Sequence, residues 1–128
     1  MIFTDIPRIL KILRDNVSRN LNDKNEFAER KYPYKIYELD WTKPSVSKCK
    51  PPVDIILAAD VIYEVKLVKP MLKTAYKLCD YSTKFLLAFE NHEPDAVDEF
   101  WKQVDNFFHW EKVSTNPQTK GFLHFRRL

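Results

Sequence analysis

Four acidic side chains follow apolar runs in this sequence, at points where α/β proteins often place their chemistry. They are Asp5, Asp40, Asp60 and Glu90. If each run is a strand of one open sheet, the carboxylates lie at the edge where such folds bind ligands. A carboxylate there can accept hydrogen bonds from ribose hydroxyls, and Trp41 can cover a purine ring. Alternatively, each acid caps the following helix; for Asp5 alone the two interpretations are balanced, but the set of four favours a site.

A second pattern joins a carboxylate and a phenol at the end of one run. Asp60 and Tyr63 belong to the segment DVIY. Together they could orient an amine and accept a hydrogen bond from its proton. The alternative is that Tyr63 packs at the edge of the core while Asp60 caps a turn. Spacing alone favours this alternative, because DxxY recurs often by chance.

Histidine and cysteine do not form a recognisable metal or nucleophile motif, so no metal is expected. The three histidines lack the HxxxH and HxxE spacings. They are His92, His109 and His124. Cys49 lies in a loop where Lys48 and Lys50 could lower its pKa, but no neighbouring base is placed to activate it. Cys79 falls on an apolar helix face and is expected in the core.

Composition narrows the function classes. The 128 residues are 45% hydrophobic and 30% charged, as in one globular domain. The scattered charges sum to +3, which gives no basic surface for nucleic acid. No apolar run approaches the roughly 18 residues of a membrane span, and residues 1–10 do not resemble a signal peptide. With only two cysteines, the expected compartment is the reducing cytoplasm, with the nucleus as the alternative.

Glycine is almost absent, since Gly121 is the only one. Average usage of about 7% would give roughly nine. Glycine-rich phosphate loops need residues without a Cβ atom, so that the backbone can approach the ligand. The composition therefore excludes such a loop from this chain.

Alternating and continuous apolar runs predict six strands. They cover residues 1–4, 34–39, 53–59, 84–89, 110–114 and 122–126. The run at 53–59 is nearly all apolar, which is typical of a parallel strand buried on both faces. The last two strands are separated by NPQTKG and should form an antiparallel hairpin.

Helical spacing predicts three helices between these strands. The first begins at Pro7 and fades near residues 20–25, the second has Pro70 in its first turn, and the third begins at Pro94 and extends through Phe108. The order β-α-β-β-α-β-α-β-β indicates an α/β sheet with helices on both faces.

Five motifs then occur in a fixed order along nearly the whole chain. They are TDIP at 4–7, NVSRN at 16–20, LDW at 39–41, DIILAADVIYE at 54–64, and a strand ending at Glu90. This set resembles the seven-strand S-adenosylmethionine-dependent methyltransferases, and within them the methyltransferase-like group that methylates lysine in proteins. The resemblance implies a Rossmann-like class I methyltransferase sheet with helices on both faces and a C-terminal antiparallel hairpin.

The resemblance also implies a cofactor site for S-adenosylmethionine. Asp5 would contact the ribose, while Asp40 and Trp41 would line the adenine end. Asp60 would lie beside the cofactor as well.

The implied substrate is a protein with a target lysine. Asp60 and Tyr63 would stand near that lysine, and Glu90 would help to shape the substrate side. Neither nucleic acid nor a membrane is implied as a partner, and the oligomeric state stays open.

Two departures from the family pattern affect these expectations. The acid at Glu90 is followed by Asn91 and His92, where the family often has x-R. The family's first strand, glycine-rich loop and following helix are also absent. Residues 1–128 would then be the C-terminal two-thirds of a single methyltransferase domain. The family's strand order 3-2-1-4-5-7-6 puts the absent strand in the centre, which would leave two apolar strands each without a partner.

Three explanations fit this shortened pattern. The favoured one is a fragment of an enzyme, a protein-lysine N-methyltransferase, that binds S-adenosylmethionine weakly or not at all by itself and is inactive alone. The second is a natural short product that pairs its first and third strands directly. The third is a non-catalytic remnant that binds a substrate or another partner. An α/β protein for a different nucleotide is weaker, since it too would need the absent loop.

Overall fold

The computed structural model describes residues 1–22, 33–113 and 123–128. These residues group into two compact units, Met1–Cys49 and Lys50–Leu128. The first unit contains β1 (Ile2–Asp5), α1 (Leu10–Asn22), β2 (Lys35–Glu38) and a 3-10 helix (Ser47–Cys49). The second contains β3 (Ile55–Ala59), α2 (Val65–Leu78), β4 (Lys84–Ala88), α3 (Pro94–Val104), β5 (Phe108–Lys112) and β6 (Leu123–Arg127). Within the described ranges, no helix is long and apolar enough to cross a bilayer.

In the first unit, α1 packs against a parallel pair of strands. Ile2 of β1 lies opposite Lys35 of β2, and the pairing continues to the ends of both strands. The helix buries Leu10 and Val17, as its apolar spacing predicts. It begins at Leu10 rather than at Pro7, because the intervening residues form a turn in which the Leu10 N–H bonds the Pro7 carbonyl at 3.3 Å.

The second unit contains a four-stranded sheet in the order β3-β4-β6-β5. β3 and β4 are parallel, whereas β6 is antiparallel to both of its neighbours. The mixed α/β architecture and the C-terminal antiparallel pair are therefore confirmed. The segment that joins β5 to β6, including the predicted strand ends at residues 114 and 122, lies outside the described residues. That the whole chain forms one partial domain stays a prediction.

An aromatic cluster fills one face of this sheet. Phe125 on β6 lies 5.1 Å from Phe85 on β4 and 6.0 Å from Phe108 on β5, measured between ring centroids. Phe100 of α3 and Tyr76 of α2 pack against the same rings. All four phenylalanines are at most 1% exposed. Burying one such side chain contributes about 1.5–3 kcal/mol, so this face anchors both helices to the sheet.

The face of β3 that points away from the aromatic cluster is exposed, contrary to prediction. The apolar run at 53–59 was expected to be buried on both faces, yet Ile55 is 55% exposed and Leu57 is 75% exposed. The run is apolar on both faces, but α2 and α3 both pack on the aromatic side. Among the described strands, β3 pairs with β4 alone and β1 with β2 alone.

Two helix boundaries also differ from the predictions. The third helix ends at Val104, and Phe108, expected on its inward face, is the first residue of β5. A turn closed by the Asn106 N–H to the Gln103 carbonyl at 3.1 Å separates the two elements. The second helix starts at Val65, so Pro70 lies inside it rather than in its first turn. The Thr74 hydroxyl bonds the Pro70 carbonyl at 2.8 Å.

Candidate functional site

In the first unit, two of the predicted acids follow adjacent parallel strands. Asp5 is the last residue of β1 and lies opposite Glu38 at the end of β2. The Leu39 N–H extends this pairing by donating to the Asp5 carbonyl at 2.9 Å. Leu39 is only 5% exposed and so holds the chain in place directly before Asp40. Asp5 and Asp40 are thus both positioned at the carboxyl edge of this strand pair.

Hydrogen bonds hold the Asp40 carboxylate in a turn. Its Oδ1 atom accepts from the Thr42 hydroxyl at 2.7 Å and from the Thr42 N–H at 2.8 Å. The hydroxyl bond is the main cause that holds the pKa of Asp40 below its ordinary range, followed by the backbone bond, with the charge of Lys43 adding to them. Asp40 is therefore a carboxylate at neutral pH. These bonds also match the alternative in which the acid caps a turn.

A cavity of about 190 Å³ opens beside Asp40. Its lining combines two acids with two lysines that were not predicted as site residues. The lining residues are Glu38, Leu39, Asp40, Lys43, Ser45 and Lys48. One feature of the sequence could have identified these lysines as site candidates: both lie in the loop that follows the LDW motif. Trp41 is half-buried and is not among the lining residues.

In the second unit, Asp60 ties the ends of two strands together. Its N–H donates to the Ala88 carbonyl at 2.9 Å, and its Oδ1 atom accepts from the Glu90 N–H at 3.2 Å. Its φ of 51° lies in the left-handed region, which costs free energy for any residue with a Cβ atom but is tolerated best by Asn and Asp. Backbone strain of this kind clusters at functional sites.

Tyr63 follows the buried residue Ile62, which holds it near the carboxyl end of β3. Ile62 is 4% exposed and anchors the segment after β3, whereas Tyr63 is 52% exposed. The phenol is thus displayed at the surface rather than packed into the core. Asp60 and Glu90 are exposed too, so the three predicted catalytic side chains all reach solvent near the carboxyl ends of β3 and β4.

One residue near this edge was missed as a site candidate. His92 places its Nε2 atom 3.3 Å from the Glu90 carboxylate, and both side chains are 69% exposed. Both side chains therefore lie at the surface, close to the carboxyl end of β4. The sequence did contain a reason to consider His92, because it occupies the position where the family pattern often has arginine.

The cysteines are not part of either edge. Lys48 and Lys50 could have lowered the pKa of Cys49, but burial raises the pKa of this thiol. Burial also raises the pKa of Cys79 to about 11, although Arg127 opposes the shift. Both are buried free thiols. In the part of the chain that the structure describes, no group of three or more His, Cys, Asp or Glu residues could hold a metal ion.

The predicted site residues therefore form two sets. Asp5, Asp40 and Trp41 belong to the carboxyl edge of β1 and β2, while Asp60, Tyr63 and Glu90 belong to that of β3 and β4. Each set contains acids at the ends of neighbouring parallel strands, as predicted. Ribose hydroxyls, a purine amine or a protonated amine are the groups that such carboxylates can bind.

Two solved structures share this fold. The PH0226 protein from Pyrococcus horikoshii OT3 aligns with 100% of this chain and 71% of its own, with a TM-score of 0.60 and 12% identity. A predicted O-methyltransferase, protein Atu636 from Agrobacterium tumefaciens, aligns with 97% of this chain and 59% of its own, with a TM-score of 0.57 and 11% identity. At such identities the similarity concerns the fold alone.

Curated relatives match in sequence. Protein-lysine methyltransferase METTL21E of Bos taurus is 30% identical over 117 residues, which are 89% of this chain and 38% of the bovine protein. The Mus musculus protein of the same name is 31% identical over 120 residues, which are 91% of this chain and 47% of the mouse protein. The chain thus spans less than half the length of these relatives.

The profile of the lysine methyltransferase family matches residues 1–107. This range includes both carboxyl edges and all six predicted site residues. The family expected from the ordered motifs is therefore confirmed, and the chain belongs to the lysine methyltransferase family.

Proposed function

We propose that this chain is part of an S-adenosylmethionine-dependent protein-lysine N-methyltransferase. The observation that carries the proposal is the family match over residues 1–107, because it spans both carboxyl edges. Transfer of a methyl group to an amine requires the nitrogen to be aligned with the methyl carbon and to lose its proton. Acids and a phenol at strand ends suit both tasks.

We assign the cofactor to the acids of the first unit, Asp5 and Asp40. The fit rests on chemistry: Asp5 and Asp40 present acceptors at adjacent strand ends, and Asp40 is ionised at neutral pH. Ribose hydroxyls and an adenine amine are hydrogen-bond donors that such acceptors would bind. Trp41 would contribute an apolar ring surface for the purine. When bound, the cofactor would supply the electrophilic methyl group.

We assign the target lysine to the carboxyl edge of β3 and β4. The carboxylates of Asp60 and Glu90 would attract the lysine ammonium, and the Tyr63 phenol would help to orient it. The hydrogen bond from the Glu90 N–H fixes the Asp60 carboxylate, so the enzyme would not have to order that side chain during the reaction. The proposed substrate, a protein, follows from membership of the lysine methyltransferase family. The proposed compartment is the cytoplasm.

We expect this chain alone to bind the cofactor weakly. Its cavity beside Asp40 measures about 190 Å³, whereas pockets for small-molecule ligands usually enclose about 300–1,000 Å³. Isothermal titration calorimetry of the 128-residue chain with S-adenosylmethionine tests this. The expected result is no binding or a dissociation constant above roughly 100 μM. A dissociation constant of about 1 μM would contradict it.

The second candidate function is a non-catalytic binding module built on the same fold. Its supporting observation is that these 128 residues contain one glycine, Gly121, and so no glycine-rich loop for the cofactor. Sequencing the 5′ end of the transcript separates the candidates. An in-frame extension with a strand and a glycine-rich loop favours the enzyme, whereas a stop codon just upstream of Met1 favours the module.

A further inference from the structure

The segment that follows β4 is held in place around Glu90 and His92. Phe89, directly before Glu90, is 7% exposed, and its ring centroid lies 5.8 Å from that of Phe100 in α3. The Glu90 N–H donates to Asp60 Oδ1 at 3.2 Å, and the His92 N–H donates to the Glu90 carbonyl at 3.0 Å. The backbone therefore presents the Glu90 and His92 side chains together at the carboxyl end of the strand.

The imidazole of His92 lies against the Glu90 carboxylate. Its Nε2 atom is 3.3 Å from Glu90 Oε2, and both side chains are 69% exposed. Within residues 1–22, 33–113 and 123–128, no lysine or arginine forms an ion pair with Glu90. In that part of the chain, His92 is thus the side chain that can place a positive charge beside this carboxylate.

The charge of a histidine–glutamate pair changes near neutral pH. A histidine ordinarily loses its proton at a pH of about 6.5, and a glutamate at about 4.3. Between these values the imidazolium neutralises part of the carboxylate's charge, and above them the carboxylate keeps that charge. A glutamate beside a histidine therefore offers a stronger attraction to an external cation once the histidine is neutral.

The charged groups on the neighbouring elements are mostly acids. Asp60 follows β3, and Glu93 and Asp95 stand at the start of α3. Further along the chain from Asp60, Glu64 is paired with Lys66 at 2.7 Å. The acids favour a protonated imidazole, whereas the positive end of the α3 dipole opposes it. The acids also give this edge the sign that attracts an ammonium group, so His92 is the group there that can reduce the attraction.

We propose that His92 is a positioning residue of the lysine site, whose protonation state sets how much negative charge Glu90 offers to the target lysine. The proposal rests on the proposed function, which assigns that lysine to the carboxyl edge of β3 and β4. It adds that the substrate is captured more tightly when His92 is neutral. Exposed ion pairs change equilibrium constants only a few-fold, so we expect protonation of His92 to weaken binding of an amine about two- to fivefold.

Binding of a small amine to the full 128-residue chain tests the proposal without methyl transfer. The probe is Nα-acetyl-lysine methylamide, whose ammonium keeps its proton up to a pH of about 10. Its binding is followed by NMR at the backbone amides of Asp60 and Glu90, at a pH of about 5.5 and of about 8. Nα-acetyl-norleucine methylamide, which lacks the ammonium, is the control probe.

Two variants separate the charge of His92 from its presence. His92→Gln removes the titratable charge, and His92→Arg makes a positive charge permanent. The matched control is His109→Gln, because His109 is an exposed histidine on β5, outside this edge. Because the probe carries the same charge at both pH values, a change in its affinity reports on the protein.

The unmodified chain and His109→Gln should bind the lysine probe about two- to fivefold more tightly at the higher pH. His92→Gln should bind it tightly at both pH values and His92→Arg weakly at both, and the norleucine probe should give no such pattern. A pH dependence that persists in His92→Gln, or equal affinity of the unmodified chain at both pH values, would overturn the role of His92. Absence of lysine-probe binding at both pH values would overturn it together with the assignment of lysine to this edge. Methyl transfer by the longer polypeptide is a separate assay, so the proposed function can fail or stand independently of His92.

Discussion

The Oδ1 atom of Asp60 accepts a hydrogen bond from the backbone N–H of Glu90 at 3.2 Å. This bond joins the carboxyl ends of the parallel strands β3 and β4, and both of its residues were predicted as site residues from the sequence. A second bond, from the Asp60 N–H to the Ala88 carbonyl at 2.9 Å, fixes the backbone of Asp60 in its left-handed conformation. The carboxylate is therefore held against the end of β4 before any ligand arrives. Such ordering in advance is what an amine-orienting group needs.

Arg127 links the end of β6 to the end of α2, and its removal should destabilise the second unit. It donates to the Cys79 carbonyl at 2.6 Å and lies 3.9 Å from the centre of the Tyr76 ring. We expect Arg127→Lys to lower the free energy of unfolding by about 1–2 kcal/mol in urea titrations. The matched control is Arg126→Lys, since 68% of the Arg126 side chain is exposed. Equal stability of the two variants would contradict this role.

Phe125 lies at the centre of the aromatic cluster, so shortening it should cost stability. Its ring packs against those of Phe85, Phe100 and Phe108 and is fully buried. We expect Phe125→Leu to lower the free energy of unfolding by about 1–3 kcal/mol, because a cavity remains among rigid rings. Tyr81→Leu, at a position that is 88% exposed, should change it by less than about 0.5 kcal/mol. A loss no larger than the control's would show that the cluster is loosely packed.

The thiol of Cys79 should react far more slowly than an ordinary cysteine. Burial is the main cause that raises its pKa to about 11. Relative to an ordinary pKa near 8.5–9, the thiolate fraction at pH 8 falls by roughly 100-fold, and access of the reagent falls as well. Titration with a disulfide reagent should show slow labelling of Cys79 in the native chain and fast labelling in 6 M guanidinium. Rapid labelling of Cys79 in the native chain would contradict its burial.

Asp80 should make the fold sensitive to acid. Its Oδ1 atom accepts from the Ser82 hydroxyl at 2.7 Å and the Ser82 N–H at 2.8 Å, and these bonds lower its pKa. Because the pKa is lower in the folded state, the stabilisation is complete above the ordinary aspartate pKa and is lost as the pH falls through the folded value. Carboxyl NMR titration should find the pKa of Asp80 below its ordinary value, and Ser82→Ala should raise it. An unchanged pKa in that variant would contradict the assignment.

Residue types and spacing predicted much of the fold and of the candidate site. Apolar periodicity predicted the strands and helices in order, and the acids at strand ends were placed at the carboxyl edges of parallel pairs. The errors have physical reasons. The apolar run of β3 indicates two apolar faces but not whether an element covers each, so the exposure of Leu57 could not be predicted. Phe108 lies at helical spacing from the apolar residues of α3, so the sequence pattern predicted it in that helix. The helix ends before it because a turn at Asn106 intervenes, and Phe108 begins β5.

Two features of the site depend on tertiary contacts and so could not be read from spacing. The left-handed backbone of Asp60 follows from its bonds to the end of β4. Likewise, the approach of His92 to Glu90 depends on the bend after that strand, where the His92 N–H bonds the Glu90 carbonyl at 3.0 Å.

The most direct test of the central claim is methyl transfer by the longest in-frame polypeptide that the transcript encodes. Its Asp60→Asn variant retains a side-chain acceptor for the Glu90 N–H but loses the charge that would bind the lysine ammonium. The matched control is Asp98→Asn, on the exposed side of α3. With labelled S-adenosylmethionine and cellular proteins as substrates, we predict label on lysine that Asp60→Asn reduces by about 100-fold or more and Asp98→Asn leaves unchanged. Full activity of Asp60→Asn, or no label on lysine from the unmodified polypeptide, would contradict the account.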